Sequence, residues 1–102
     1  MASSRQFKDF ILEQFGGVVT ERAMMGEFIL YCRGKVIGGI YDDRLLLKAV
    51  PSALNAVPNP QMEIPYPGAK PMLYVEEVDN RDFLQNLLQI MWDELPAPKK
   101  GK

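Results

Sequence analysis

The sequence predicts one α+β domain in two layers, an antiparallel sheet with helices on one face and the element order α-β-β-β-α-β-α. Three observations carry that expectation. Amphipathic helical patterns lie near both ends, short apolar runs split by turn-compatible pairs fill the middle, and 102 residues at 47% hydrophobic and 25% charged suit a single core. The domain is expected to span residues 1–96, followed by a disordered basic tail over 97–102.

Ser3-Ser4-Arg5-Gln6 has capping-box spacing, after which Phe7, Phe10, Ile11, Leu12 and Phe15 recur at helical intervals until Gly16-Gly17. Strands are then expected over 28–32, 36–41 and 45–49, divided by Arg33-Gly34 and Asp42-Asp43, with 18–24 as a shorter strand or bulged lead-in. Six of the eight prolines fall between Pro51 and Pro71, so that stretch reads as mostly irregular. Pro51 suits the first turn of a short helix over 52–56. A last strand is expected over 72–78, with Met72, Tyr74, Glu76 and Val78 on one face. Asp79 then offers a cap to the clearest helix, whose stripe of Phe83, Leu84, Leu87, Leu88, Met91, Trp92 and Leu95 ends at Pro96.

Alternation puts Phe28, Leu30 and Cys32 on one side of their strand and Ile29 and Tyr31 on the other, so both sides are apolar. The side without helices is therefore expected to be covered by a second copy, making a homodimer, or by another partner.

Composition narrows the chemistry. The 12 basic and 13 acidic residues leave a net charge of -1 and a pI near 5.4, so no global positive field favours phosphate backbones. With no histidine, imidazole-based nucleophile activation, metal ligation and pH switching are excluded. The single Cys32 excludes an internal disulfide and fits a reducing cytoplasm. The segment 1–15 is interrupted by Lys8, Asp9 and Glu13, unlike a signal peptide, and no run has membrane-spanning length. A soluble cytoplasmic protein without membrane contact is expected.

Several constellations invite function, and each has a plainer reading. Asp42-Asp43 with Glu76, Glu77 and Asp79 offers oxygen ligands, yet turn formation and capping account for these carboxylates, and no metal or cofactor is expected. Arg33 and Lys35 flank Cys32 closely enough to activate its thiol, but strand parity makes it a small buried hydrophobe. Gly34, Gly38 and Gly39 lack phosphate-loop spacing and instead mark a turn and a bulge or close backbone contact. Met24, Met25 and Met91 suit either a pliable surface or core filling. Arg22, Arg33, Lys35, Arg44, Lys48 and Lys70 interleave with Tyr31, Tyr41 and Tyr66, a mix that serves a nucleic-acid contact or an ordinary mixed-charge surface.

The run from Arg22 to Lys35, RAMMGEFILYCRGK, followed by Asp42-Asp43-Arg44-Leu45-Leu46-Leu47-Lys48, resembles the N-terminal domain of the TfoX/Sxy competence-regulator family. The later segments Tyr66-Pro-Gly-Ala-Lys-Pro-Met72 and Tyr74-Val-Glu-Glu-Val78 fit the same family. Against the usual Met-Phe-Gly-Gly-Tyr-Gly-Leu-Tyr run, Met24, Gly26, Leu30 and Tyr31 match, while Met25, Glu27, Phe28 and Ile29 replace Phe, Gly, Tyr and Gly. Losing two glycines predicts a more regular strand entrance. The resemblance implies a sheet with helices on one side, similar to secretion-chaperone-like domains, and supplies no catalytic constellation. It also implies a stand-alone member, whereas longer members of the family add a helical domain and activate natural-competence genes in concert with the catabolite activator protein.

The leading expectation is a non-enzymatic interaction domain acting in transcriptional regulation, with a transcription factor or polymerase as a possible partner. Its candidate interaction residues are Arg22, Met24, Met25, Gly26, Tyr31, Gly34, Lys48, Lys70, Pro71 and Tyr74. The alternatives are a nucleic-acid contact through Arg33, Lys35 and Lys70, and a small-ligand cleft beside the proline-rich segment at Tyr66 and Tyr74.

Overall fold

Ser4 has extended backbone and its Oγ accepts the Phe7 N–H at 3.1 Å, which opens helix α1 (Arg5–Gln14). This computed structural model describes residues 4–24 and 26–95, so Ser3 of the expected capping pair, Met25, Pro96 and the tail over 97–102 lie outside the described residues. At the other end of α1, Gly16 and Gly17 have positive φ and donate to Glu13 O at 2.9 Å and Leu12 O at 3.4 Å. That pair of bonds is a Schellman closure, available because glycine has no Cβ to clash in the left-handed region.

The chain continues through β1 (Thr20–Met24), β2 (Glu27–Cys32), β3 (Lys35–Tyr41), β4 (Arg44–Leu47), α2 (Pro51–Ala56), β5 (Gln61–Glu63), β6 (Met72–Val75) and α3 (Arg81–Met91). A 3-10 turn at Trp92–Glu94 extends α3. The six strands form one antiparallel sheet in the order β1-β2-β3-β4-β6-β5. The α+β class and the single helical layer are as expected, β1 is the shorter strand anticipated within 18–24, and β5 is an addition to the element order.

β1 and β5 are the edge strands. β1 is exposed at four of its five residues, so it carries little hydrophobic alternation. β5 lies inside the proline-rich segment, where Pro60 and Pro65 leave room for only a short strand. The final strand stops at Val75 rather than Val78, because the Val78 N–H folds back onto Glu76 O at 2.8 Å. Asp79 is consequently in a turn, and the cap of α3 is Asn80, whose Oδ1 accepts the Phe83 N–H at 3.1 Å. β4 likewise stops at Leu47 instead of Ala49.

The β2–β3 and β3–β4 hairpins close through Arg33-Gly34 and Asp42-Asp43, all with positive φ, the turn geometry whose twist matches the strands. β2 begins directly at Glu27 and pairs continuously with β1, in agreement with the regular entrance expected from the two missing glycines.

Register separates two faces. Phe28, Ile40, Leu45 and Val75 form one cross-strand row and Leu30, Leu47 and Leu73 another, all facing the helices. These side chains, with Ile11, Phe15, Ala53, Leu84, Leu87, Leu88, Met91 and Leu95, make the core. The opposite face carries Ile29, Tyr31, Val36, Tyr41, Leu46, Met72 and Tyr74, of which Leu46 alone is fully buried.

Between these faces β3 is pinched. The pairing shifts at Leu30/Tyr31, which inserts Ile37 as an extra residue, and the backbone of β4 then comes so close that a Cβ on Gly38 would stand 2.2 Å from Leu46 O. A Cβ on Gly39 would stand 2.7 Å from Phe28 O and from the Tyr41 ring. The expected bulge and close contact are both here.

Polar side chains fasten the helical layer. Gln14 Nε2 donates to Val78 O at 2.7 Å and Gln85 Nε2 donates to Gln14 O at 3.2 Å, tying α1 to α3. Trp92 Nε1 donates to Cys32 O at 2.8 Å, and Cys32 is a buried apolar side chain as expected. Pro51 occupies the first position of α2, and the Ser52 backbone N–H and hydroxyl both donate to the Glu94 carboxylate.

Two outcomes follow from this packing. Gly38→Ala should lower stability by about 3 kcal/mol, since the obstructing atoms are backbone and the strands must part, as read by urea unfolding followed by circular dichroism. The Ser52 bonds hold the Glu94 carboxyl below its ordinary value, so their stabilisation is present above the usual glutamate range and lost as pH falls through the depressed folded value. Ser52→Ala should thus be less stable than wild type at neutral pH and converge with it in acid.

Candidate functional site

The helix-free face is only partly covered, and the chain itself supplies the cover. After β5 the segment over 64–71 turns at Tyr66-Pro67-Gly68-Ala69, where Ala69 N–H donates to Tyr66 O at 3.0 Å and Gly68 has φ of 89°. Proline second and a positive-φ glycine third are what a type II turn requires. The turn brings Tyr66 to 6.3 Å from Tyr41, ring centre to ring centre, with the planes tilted by 53°.

A groove of about 590 Å³ remains between this segment and the sheet. Ile29 and Tyr31 of β2 and Val36 of β3 form its floor, Tyr41 and Tyr66 a wall, and Lys48, Lys70, Pro71 and Met72 its far side. The lining is mostly apolar and open to solvent. Burial, reinforced by Tyr66, Glu27 and Tyr31, raises the pKa of Tyr41 above the ordinary tyrosine value, so its phenol stays neutral and able to donate.

The groove lining carries two lysines, Lys48 and Lys70, and one carboxylate, Glu94. Among the described residues neither Lys48 nor Lys70 has an ion-pair partner, and Lys48 is half-buried. Glu63 on the neighbouring edge strand is engaged by Arg44 at 2.5 Å, and Glu94 at the groove margin is engaged by Ser52. The Arg44 pair is substantially exposed and contributes on the order of 0.5 kcal/mol.

Of the residues singled out from the sequence, Tyr31, Lys48, Lys70 and Pro71 meet in this groove. Arg22 and Tyr74 share its sheet face but lie outside the lining, Met24 is exposed on edge strand β1, and Gly26 and Gly34 hold hairpin turns at φ of 86° and 84°. Met25 is outside the described residues.

The basic trio of Arg33, Lys35 and Lys70 does not converge. Arg33 and Lys35 stack on Trp92, at 5.4 and 3.8 Å from the ring centre, and Lys35 Nζ also donates to Trp92 O at 3.1 Å. Arg33 lines a separate hollow of about 430 Å³ with Phe15, Gln85 and Trp92, whereas Lys70 belongs to the groove. Tyr66 and Tyr74 part as well, Tyr74 lining a third hollow of about 320 Å³ beside Glu76 and Glu77.

Val36 and Met72 were in none of the sequence-derived candidate sets, whereas Ile29 was on the face expected to be covered and Tyr41 and Tyr66 were among the aromatics interleaved with basic residues. The Tyr66-Pro67-Gly68-Ala69 turn was a legible signal for Tyr66, but uniting Ile29 with Val36 needed the bulge. Among the described residues, no three His, Cys, Asp or Glu side chains gather as ligands, and no helix is long and apolar enough to cross a membrane.

Comparison with known proteins places this architecture. The family model of the TfoX N-terminal domain matches residues 11–86, from the middle of α1 into α3. The chain belongs to the TfoX N-terminal domain family. One relative, an uncharacterized 12.7 kDa protein in the trpE 5′ region of Spirochaeta aurantia, is 35% identical over 105 residues, covering 100% of this chain and 91% of that protein. No solved structure matches significantly. The matched span of the TfoX N-terminal domain contains the whole groove lining except Glu94.

Ultraviolet titration of the four tyrosines provides a check on the groove wall. Wild type should show a phenol ionising later than free tyrosine, and Tyr41→Phe should remove that late component.

Proposed function

We propose that this TfoX N-terminal domain is a non-enzymatic cytoplasmic interaction module that acts through protein contacts in transcriptional regulation. The carrying observation is the helix-free sheet face, where Ile29, Tyr31, Val36 and Met72 remain half-buried beside an open, mostly apolar groove. An apolar surface that the chain leaves uncovered gains from a second macromolecule, because burying it removes hydrocarbon from water. The regulatory part of the reading rests on family membership.

The basic residues support protein over nucleic acid. A phosphate-binding surface needs several cations on one face, whereas Arg33 and Lys35 are committed to Trp92 and Lys70 stands apart from them.

Sedimentation of the purified protein up to high micromolar concentration, with crosslinked capture from its source cells before and after nuclease, tests the reading. Self-association, or nuclease-resistant recovery of a transcription factor or polymerase, is the expected result. A strict monomer with no nuclease-resistant partner would overturn it.

A further inference from the structure

We infer that the groove between the 64–71 segment and the sheet binds a short acidic segment of a partner protein, its carboxylates at Lys48 and Lys70 and its apolar side chains on Tyr31, Val36 and Met72. This rests on the interaction reading and names the chemistry of its partner. The argument begins with charge. A partly buried lysine ordinarily lays its stem on apolar surface and keeps its ammonium in water, where a carboxylate brought by a partner is its natural match. Lys48 has no such match among the described residues, although two carboxylates lie on nearby elements. Glu63 is paired with Arg44, and Glu94 keeps its charge at the groove margin while Ser52 binds it, so the lining carries two lysines against one carboxylate and leaves a net positive site for an outside anion.

The apolar floor then decides what carries that anion. Free phosphate or a nucleic-acid backbone would satisfy the lysines but leave Ile29, Tyr31 and Val36 unused. A small metabolite is commonly read by fixed polar groups converging inside an enclosed pocket. Here the groove is open, and among the described residues no buried polar side-chain atom is left without a bond to direct at such a ligand. A peptide segment uses both features, since carboxylates and apolar side chains alternate along an extended chain.

The test is selection from a random short-peptide phage library on the full-length protein, followed by affinity measurement with the enriched synthetic peptide. Wild type should enrich sequences that combine Asp or Glu with apolar residues. Lys48→Glu/Lys70→Glu should weaken the enriched peptide by at least about tenfold, about 1.4 kcal/mol. Arg5→Glu/Arg81→Glu makes the same net charge change at exposed sites on the helices and should bind as wild type does. Lys48→Gln/Lys70→Gln repeats the loss without charge reversal, and circular dichroism confirms that each variant is folded.

No enrichment, a consensus without acidic residues, or equal weakening by the Arg5/Arg81 variant would overturn the inference. If Lys48→Glu/Lys70→Glu still self-associates or captures the same nuclease-resistant partner, the groove assignment fails while the interaction reading stands. If wild-type dimers dissociate on Tyr31→Glu and exclude the peptide, the occupant is a second copy and the inference also fails.

Discussion

The close approach of β3 to its neighbours at Gly38 and Gly39 is the constraint on which the rest of the architecture depends. β3 lies inside the sheet, so any separation there opens both the β2 and β4 pairings. At Gly38 the obstruction to a side chain is the backbone of β4, which cannot rotate away as a side chain could. At Gly39 the space a side chain would occupy is taken by the Tyr41 ring. One glycine thus lets the sheet close over the helical core, and the other lets Tyr41 lie down to wall the opposite groove. The bulge at Ile37 links them, because it sends Ile37 into the core while keeping Val36 beside Tyr31 on the groove side.

The helical layer explains why the basic residues are divided. Indole needs a partner for its N–H when half-buried, and Trp92 finds it in Cys32 O at the end of β2. Docking there brings the ring under Arg33 and Lys35 of the adjoining hairpin, so two cations become part of the fastening between α3 and the sheet. Cation–π contact and the Lys35 bond to Trp92 O stabilise the helix end by roughly 1 kcal/mol. Residues that resembled a binding cluster along the chain have a structural occupation in the fold.

Much of this was legible because the local chemistry was unambiguous. Gly16-Gly17 ended α1, Asp42-Asp43 turned a hairpin, Pro51 began α2, and the Phe83-to-Leu95 stripe gave α3 its buried side. What escaped was set by partners distant in sequence. β5 is three residues long and becomes a strand only because β6 offers its edge to Gln61, Met62 and Glu63. The cap moved from Asp79 to Asn80 because the turn after β6 consumes Asp79, although both residue types suit the role. At the site, Tyr31, Lys48, Lys70 and Pro71 were already singled out, yet their union with Ile29, Val36 and Tyr66 needed a register, a bulge and a returning loop. Strand parity alone assigns a face to each residue but does not bring the 64–71 segment across it.

That returning segment also explains how so short a chain manages two apolar sheet faces. A chain of this size has enough helix to cover one face, and α1, α2 and α3 all go to the same one. On the other, a proline-stiffened loop lowers the entropy lost on ordering and brings Tyr66 against Tyr41 without building a third layer. Its cover is incomplete by construction, and the gap falls where Ile29 stands opposite Gly39. Ile29 adds a branched apolar side chain to the groove floor, where a glycine would leave bare backbone. The hydrocarbon that shapes the groove is therefore a property of this sequence as well as of the fold.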